Sequence, residues 1–303
     1  RFREVMERWG PEAVTWSWGD AAAHCSHVTK MAWLSAMRSP THFHSDAHYC
    51  YYPNVIANKL TFGDFLTSEI GLDYRNSRCI MLWGGNPVMS HPTRARDVMI
   101  GKKRGAKLIV VDPRMTEIAS KADLFLQPRP GTDDALALGM LYVIINEGLY
   151  DKEFVSRWCL GFEELCQRIE AYPPSRVSEI TWVPEGDLIQ AARTYARNTP
   201  ATCHTRMGVH MSTNVNQTIR AISIMVAICG NIDVRGGHIL PNWPKGFTSR
   251  YQVVHEELRL PPEVEDRTIG AREFPLFSSS PSWAIMHIPP QWSTPYSPAS
   301  PIR

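Results

Sequence analysis

The sequence predicts an α/β fold: a doubly wound, mostly parallel sheet with helices on both faces, plus a second, smaller α/β lobe. Three observations predict it. The runs Cys79–Trp83, Lys107–Asp112 and Asp123–Gln127 are nearly continuous in apolar residues, as strands buried on both faces must be. Segments of helical spacing, Thr93–Arg104 and Asp133–Glu147, intervene or follow, so that strands and helices alternate along the chain. Each apolar run stops at a breaker: Gly84-Gly85-Asn86-Pro87, Pro113, and Pro130-Gly131.

Taken in order, Ala13–Trp18 alternates like a short strand, and Ala21–Met37 reads as a helix ended by Ser39-Pro40. Thr41–Tyr52 is a polar, His-rich loop. Pro53–Ile70 is expected to be helical, with Pro53 in its first turn. The helix over Thr93–Arg104 ends at Gly105. The helix Asp133–Glu147 opens on a Thr132/Asp133 cap and closes at Gly148. Glu185–Arg197 is a further helix, Ala201–Met207 returns to the sheet, and Asn214–Cys229 is an apolar helix capped by Gly230. Beyond Gly237 the periodicity weakens. From Ser278 onward Ser and Pro dominate, and residues 292–303 carry no folding pattern.

The 303 residues suffice for one large domain or two ordinary ones, and a hydrophobic fraction of 44% suits a real core. With 32 basic and 30 acidic residues the formal net charge is +2, which gives no electrostatic reason to expect nucleic acid or an anionic membrane as partner. No apolar run approaches the roughly 18 residues of a membrane-spanning helix. The N-terminal residues show no signal-peptide pattern and no initiator Met, so the chain reads as part of something longer, and its compartment is left open. Seven cysteines without a C-x-x-C pair speak against a disulfide scaffold and a zinc ribbon. Cys79 and Cys229 read as small buried hydrophobes.

Ligands of a parallel sheet bind at the C-terminal ends of its strands, near the point where strand order reverses. Gly84, Gly85, Asn86 and Pro87, followed by Ser90, His91 and Pro92, form one such loop, in which glycine lets the backbone approach a ligand and Asn86 and Ser90 offer hydrogen bonds. Asp112, Pro113 and Arg114 form a second. The Asp112 carboxylate could accept from ribose hydroxyls or from guanine N–H groups, and Arg114 could face phosphate. Gly131, Thr132 and Asp133 lead into a helix N-terminus as a third. Singly, each loop is also explained as ordinary turn and cap chemistry; three in order within one α/β unit favour nucleotide binding. No Walker loop, no G-x-G-x-x-G, no H-E-x-x-H and no G-x-S-x-G is present.

The stretch His42 to Cys50 holds His42, His44, Asp46 and His48, donor types that suit zinc, though ordinary loop hydrogen bonds explain His42 and His44 better. His24, Cys25 and His27 have the wrong spacing for a tetrahedral site. Cys50 differs because it lies in a polar loop just before a helix. A helix N-terminus lowers a thiol pKa, and a soft thiolate suits a heavy, polarisable metal.

These residues together resemble the molybdopterin oxidoreductases of the dimethyl sulfoxide reductase type. The resemblance runs from about Gly10 to Gly237. It is carried by Trp83-Gly84-Gly85-Asn86-Pro87 with Ser90-His91-Pro92, Lys107 through Arg114 with Thr116, Ala122-Asp123, and Pro130 through Asp133. Ala191-Ala192-Arg193 with Tyr195-Ala196, Gly230-Asn231 and Gly236-Gly237 complete it. It implies two molybdopterin guanine dinucleotides flanking one Mo or W atom. The loops Gly84–Pro87, Asp112–Arg114 and Gly131–Asp133, with Met207, Gly208 and His210, would hold one of them. Cys50 would be the metal ligand, with His48 and Tyr51 beside it.

The resemblance further implies electron or oxygen-atom transfer at the metal, a small-molecule substrate and an iron–sulfur electron-transfer subunit. A [4Fe-4S] cluster is expected in the full-length subunit but outside this segment. The implied binding domain spans 46–242, with 1–45 and 243–303 forming a discontinuous second lobe. Tyr51 stands where formate dehydrogenases carry His, which disfavours formate oxidation. Cys50-Tyr51-Tyr52-Pro53-Asn54 is closer to the acetylene hydratase and anaerobic hydroxylation/dehydroxylation members, so that a non-redox tungsten hydratase of the acetylene hydratase type is one alternative and a metal-free structural relative another.

Overall fold

A computed structural model describes residues 1–18, 32–44, 50, 52–62, 72–239 and 261–267. They divide into two compact units, those up to Tyr52 together with 261–267, and those from Pro53 to 239.

The first unit contains helix α1 (Phe2–Trp9), strand β1 (Trp16–Trp18), a helical stretch at 32–37, strand β2 (His42–His44) and a short helix at Pro262–Glu265. The two strands pair in parallel, Trp16 opposite His42 and Trp18 opposite His44. Leu34 and Val264 are fully buried with Trp16 and Trp33 packed on them. The Ser39 hydroxyl donates to the Val14 carbonyl at 2.7 Å, tying the end of the helical stretch to β1. His42 and His44 are therefore in a strand, not in the loop expected from sequence. Three residues are too few for an alternation to register, and the pairing partner lies 26 positions away. Most of the expected helix Ala21–Met37, the end of the helix expected over Pro53–Ile70, and the tail 292–303 lie outside the described residues.

Helix α2 (Tyr52–Phe62) comes next in the chain, and among the described residues the second unit is built on four strands: β3 (Cys79–Trp83), β4 (Lys107–Val111), β5 (Leu124–Leu126) and β6 (Ala201–Thr205). Between β3 and β4 lie α3 (Pro87–Ser90) and α4 (Pro92–Lys103). Between β5 and β6 lie α5 (Asp133–Asn146), α6 (Lys152–Trp158), α7 (Phe162–Ile169), α8 (Pro174–Thr181) and α9 (Glu185–Arg197). After β6 come α10 (Met207–His210) and α11 (Val215–Ile228). The sheet order is β5-β4-β3-β6 and every pairing is parallel. The chain moves outward from β3 to β4 to β5 and then returns to the far side of β3, so strand order reverses between β3 and β6.

Both faces of the sheet are covered, which is why β3, β4 and β5 read as apolar runs; β6 is buried as fully but carries the polar residues Thr202, His204 and Thr205. Cys79, Met81, Trp83, Ile109, Val111 and Cys203 point to the side of α5, α9 and α11. Ile80, Leu82, Leu108 and Val110 point to the side of Val98 on α4. The alternation follows from successive strand side chains pointing to opposite faces. Helix α5 packs against α8, α9 and α11 and so is apolar nearly all round. Helices α6, α7 and α8 were not legible in sequence. They are seven or eight residues long and bury only Val155, Ile169, Val177 and Thr181 between them.

The free edge of β6 is closed by side chains. Its pairing with β3 uses one edge only; on the other, Asn231 Oδ1 accepts the Ala201 N–H at 2.7 Å and His238 Nε2 accepts the Cys203 N–H at 3.0 Å. An exposed strand edge invites wrong pairing, and these buried acceptors remove it. Burial lowers the His238 imidazole from 6.5 to about 3, which keeps it a neutral acceptor.

Two outcomes are expected. A Cβ at Gly101, on the inner face of α4, would meet the Tyr74 carbonyl at 2.3 Å and Ile80 Cδ1 at 2.8 Å. Gly101→Ala should therefore destabilise by about 1–3 kcal/mol in denaturant unfolding, although the same change in an exposed helix stabilises by about 1 kcal/mol. Secondly, His210 and His238 both have folded values near 3, below the unfolded 6.5. Their neutral-state stabilisation is complete above pH 6.5 and is lost as pH falls from 6.5 toward 3, by about 1.4 kcal/mol per pH unit for each. Unfolding followed from pH 7 to 4 should show this slope, and His238→Gln should make it shallower.

Candidate functional site

The reversal point between β3 and β6 is where the loops gather. Gly84 leaves β3 with φ of +64°, a left-handed conformation that favours glycine. Its N–H donates to the Val111 carbonyl of β4 at 2.8 Å, and its carbonyl accepts the Gly208 N–H at 2.9 Å. A Cβ on Gly84 would lie 2.8 Å from the Val209 nitrogen, and one on Gly208 would lie 2.7 Å from the Gly84 oxygen. The two loops thus touch backbone to backbone. The Arg206 N–H adds a bond to the Trp83 carbonyl at 3.0 Å.

Pro87 is buried at the first turn of α3, behind Asn86. The Asn86 carbonyl accepts from the Ser90 hydroxyl at 3.0 Å, and its own Oδ1 is buried with no partner among the described residues. Ser90 Oγ lies 2.9 Å from His91 Nδ1, and His91 Nε2 lies 3.3 Å from an Arg206 guanidinium nitrogen. Burial, then Arg206 and Arg94, push the His91 imidazole below its ordinary value.

On the β6 side, Met207 is half-buried, Gly208 exposed and His210 fully buried. His210 Nε2 pairs with Thr205 Oγ1 at 3.1 Å while Nδ1 has no partner among the described residues. Burial and Arg206 lower this imidazole to about 3, so it is neutral. His204 is likewise buried, bonded at Nδ1 to the Tyr74 hydroxyl at 2.7 Å.

Asp112 ends β4 with its carboxylate buried. Its Oδ1 accepts the Arg114 N–H at 2.8 Å, closing a turn over exposed Pro113. The Arg114 guanidinium lies 4.0 Å away and is itself largely exposed. Gly131 is exposed with φ of +82° and open space where a Cβ would be. The expected Thr132/Asp133 cap takes a different form: the Thr132 hydroxyl donates to the Arg129 carbonyl at 2.7 Å instead of accepting from the helix. Asp133 Oδ1 accepts the Trp83 indole N–H at 2.7 Å, joining the third loop to the first. Burial raises the Asp133 carboxyl despite that bond, and Asp134 and Asp112 add to the rise.

All three loops expected from sequence therefore meet at one end of one sheet, with Met207, Gly208 and His210 beside them. Cys50 is half-buried and lies two residues before α2, in the other unit. His48 and Tyr51 lie outside the described residues. Sequence inspection missed Arg206, Arg94 and His204, and read Trp83 only as part of the Trp83–Pro87 motif. Adjacency to Met207-Gly208 was the available signal for Arg206. Nothing local marks Arg94 or His204. Gly208→Ala is expected to separate the two loops, seen as loss of exchange protection at the Gly208 amide.

The model of the molybdopterin oxidoreductase family matches residues 14–253. The chain is 34% identical over 282 residues to acetylene hydratase of Syntrophotalea acetylenica, covering 92% of this chain and 37% of that protein. It is 31% identical over 233 residues to formate dehydrogenase H of Escherichia coli, covering 77% and 33% respectively. Among solved structures, acetylene hydratase from Pelobacter acetylenicus aligns with a TM-score of 0.71 at 32% identity, over 90% of this chain and 37% of that one. The chain thus spans about a third of the length of these relatives. With a family match across most of its residues, the chain belongs to the molybdopterin oxidoreductase family.

Proposed function

We propose that this chain is the dinucleotide-binding part of a Mo- or W-dependent catalytic subunit, and that its three sheet-end loops hold one molybdopterin guanine dinucleotide. One observation carries the proposal: Gly84, Asn86, Asp112, Asp133, Gly208 and His210 converge at the strand-order reversal of a parallel sheet. The residues present suit such a group. Buried Asn86 Oδ1 and His210 Nδ1 lack partners among the described residues, and the space beside Gly131 is open.

Asp112 and Asp133 would accept from guanine or ribose donors, since carboxylates favour N–H and O–H groups over phosphate. Gly84, Gly85 and Gly208 let the two loops and the Arg206 stem pack together, since a Cβ at any of them would meet another part of the protein. Pro87, Ser90, His91, Pro113, Arg114 and Met207 shape or line the same loops. Cys50, as thiolate, is the proposed metal ligand, with His48 and Tyr51 as neighbours that orient substrate or move a proton. A second dinucleotide, a [4Fe-4S] cluster and an iron–sulfur partner subunit belong to the longer protein. When bound, the metal cofactor supplies the redox couple, or Lewis acidity in a hydratase.

Oxidoreductase chemistry is the main reading. The similarity to acetylene hydratase in both sequence and structure favours a non-redox hydratase as the second. Spectroscopy of the metal through turnover in the full-length protein separates them: a cycling oxidation state is expected for the first, a constant one for the second. Elemental analysis should find Mo or W, and its absence after replete expression would sink both. Cys50→Ala is expected to abolish activity with less than about 1 kcal/mol change in stability. Retained activity would remove Cys50 as ligand.

A further inference from the structure

We infer that Asn58 and Ser223 are positioning residues for the metal ligand: they fix the rotation of α2, which begins two residues after Cys50. The inference rests on the proposed ligand role of Cys50 and deepens it. Asn54 and Asn58 lie one turn apart on α2, and both are buried. Asn58 Nδ2 donates to the Asn54 backbone carbonyl at 2.7 Å and to Asn54 Oδ1 at 2.9 Å. A backbone carbonyl can only accept, so the Asn58 amide cannot turn over, and its Oδ1 is the atom left for another helix. The Ser223 hydroxyl of α11 donates to that oxygen at 3.3 Å. These bonds run one way, from Ser223 to Asn58 to Asn54, and end in the first turn of α2.

Ser223 departs from the habit of a helical hydroxyl, which is to bond back to its own helix. Thr61 of α2 does so to the Ala57 carbonyl at 2.7 Å, and Thr218 of α11 to the Asn214 carbonyl at 3.0 Å. Ser223 instead reaches a residue 165 positions earlier in the chain. Around it α11 is apolar, with Ile219, Ile222 and Val226 in the core, and among the described side chains Ala57 is what α2 adds to that core. A single methyl group leaves a helix free to roll on its neighbour. The polar pair does not, because any roll that parts Asn58 from Ser223 leaves a buried amide oxygen and a buried hydroxyl unpaired. A buried Asn sets the register of paired helices on the same principle. Pro53 carries the rotation towards the ligand. It is buried in the first turn, and its ring locks φ between Asn54 and Tyr52. The backbone that leaves α2 for Cys50 is thus aimed by a bond made on α11.

The test uses the full-length protein purified with its metal cofactor. Electron paramagnetic resonance of the pentavalent metal shows which metal environments coexist, and Cys50→Ala supplies the spectrum of metal without the protein thiolate. Hydrogen exchange reports the α2 amides in the same samples. Ser223→Ala and Asn58→Ala are expected to raise the thiolate-free share of the metal about fivefold over the wild type and to speed exchange in the first turn of α2. Ser223→Thr keeps the hydroxyl and should restore the wild-type spectrum; a Thr variant that matches Ser223→Ala would overturn the inference. A role in stability alone would lower the melting temperature of Ser223→Ala and leave its metal spectrum as in the wild type, with the same consequence. The reading beneath fails separately: a wild-type spectrum in Cys50→Ala would remove Cys50 as ligand. A changed spectrum there, with wild-type spectra in Ser223→Ala and Asn58→Ala, overturns this inference alone. If Asn58→Ala does not fold by circular dichroism, Ser223→Ala, which removes one buried oxygen, decides.

Discussion

Gly84 stands where three strand ends meet. Its N–H reaches β4 at Val111, its carbonyl reaches the β6 loop at Gly208, and its chain leaves β3. No side chain fits at either glycine, because each Cβ would fall within 3 Å of the other loop's backbone. Close-packed interiors do not absorb such an overlap. That contact sets the separation of β3 and β6 at their C-terminal ends. With it go the places where Asn86, Ser90 and His91 leave on one side and Arg206 to His210 on the other. Trp83, through its indole bond to Asp133, extends the same junction to the loop after β5.

Charge is distributed unevenly about this junction. Asp112, Asp133 and Asp134 lie on the β4 and β5 side with Arg114, and Asp134 and Asp112 add to the rise of the Asp133 carboxyl. Arg94 and Arg206 lie with the β3 and β6 loops, among histidines that burial keeps neutral. The neutrality of the histidines is part of the arrangement. A protonated His91 could no longer accept from Arg206, and a protonated His238 could no longer close the edge of β6.

Much of the frame was legible without coordinates. Parallel strands carry their own signature, and Cys79–Trp83 and Lys107–Val111 came within a residue of their observed bounds because burial on both faces leaves no polar position to confuse the pattern. The α6 to α8 segment was not legible, since helices of two turns with one or two buried residues have no periodicity to detect. Thr132 looked like a cap by residue type, but its hydroxyl is taken by the Arg129 carbonyl, a local competitor that composition does not reveal.

The sequence by itself determined the α/β class, the loops that end the strands and the family, because apolar runs, breakers and motif order are properties of neighbouring residues. Only the tertiary structure decided which loops touch and what their polar groups are bonded to. Ser90 and His91 look from sequence like groups awaiting a ligand. In the fold Ser90 is bonded to the Asn86 carbonyl and to His91, and His91 lies against Arg206, a residue 115 positions further along the chain. Hydrogen-bond direction and desolvation depend on what lies within about 3–4 Å in space, and separation along the chain carries no information about that.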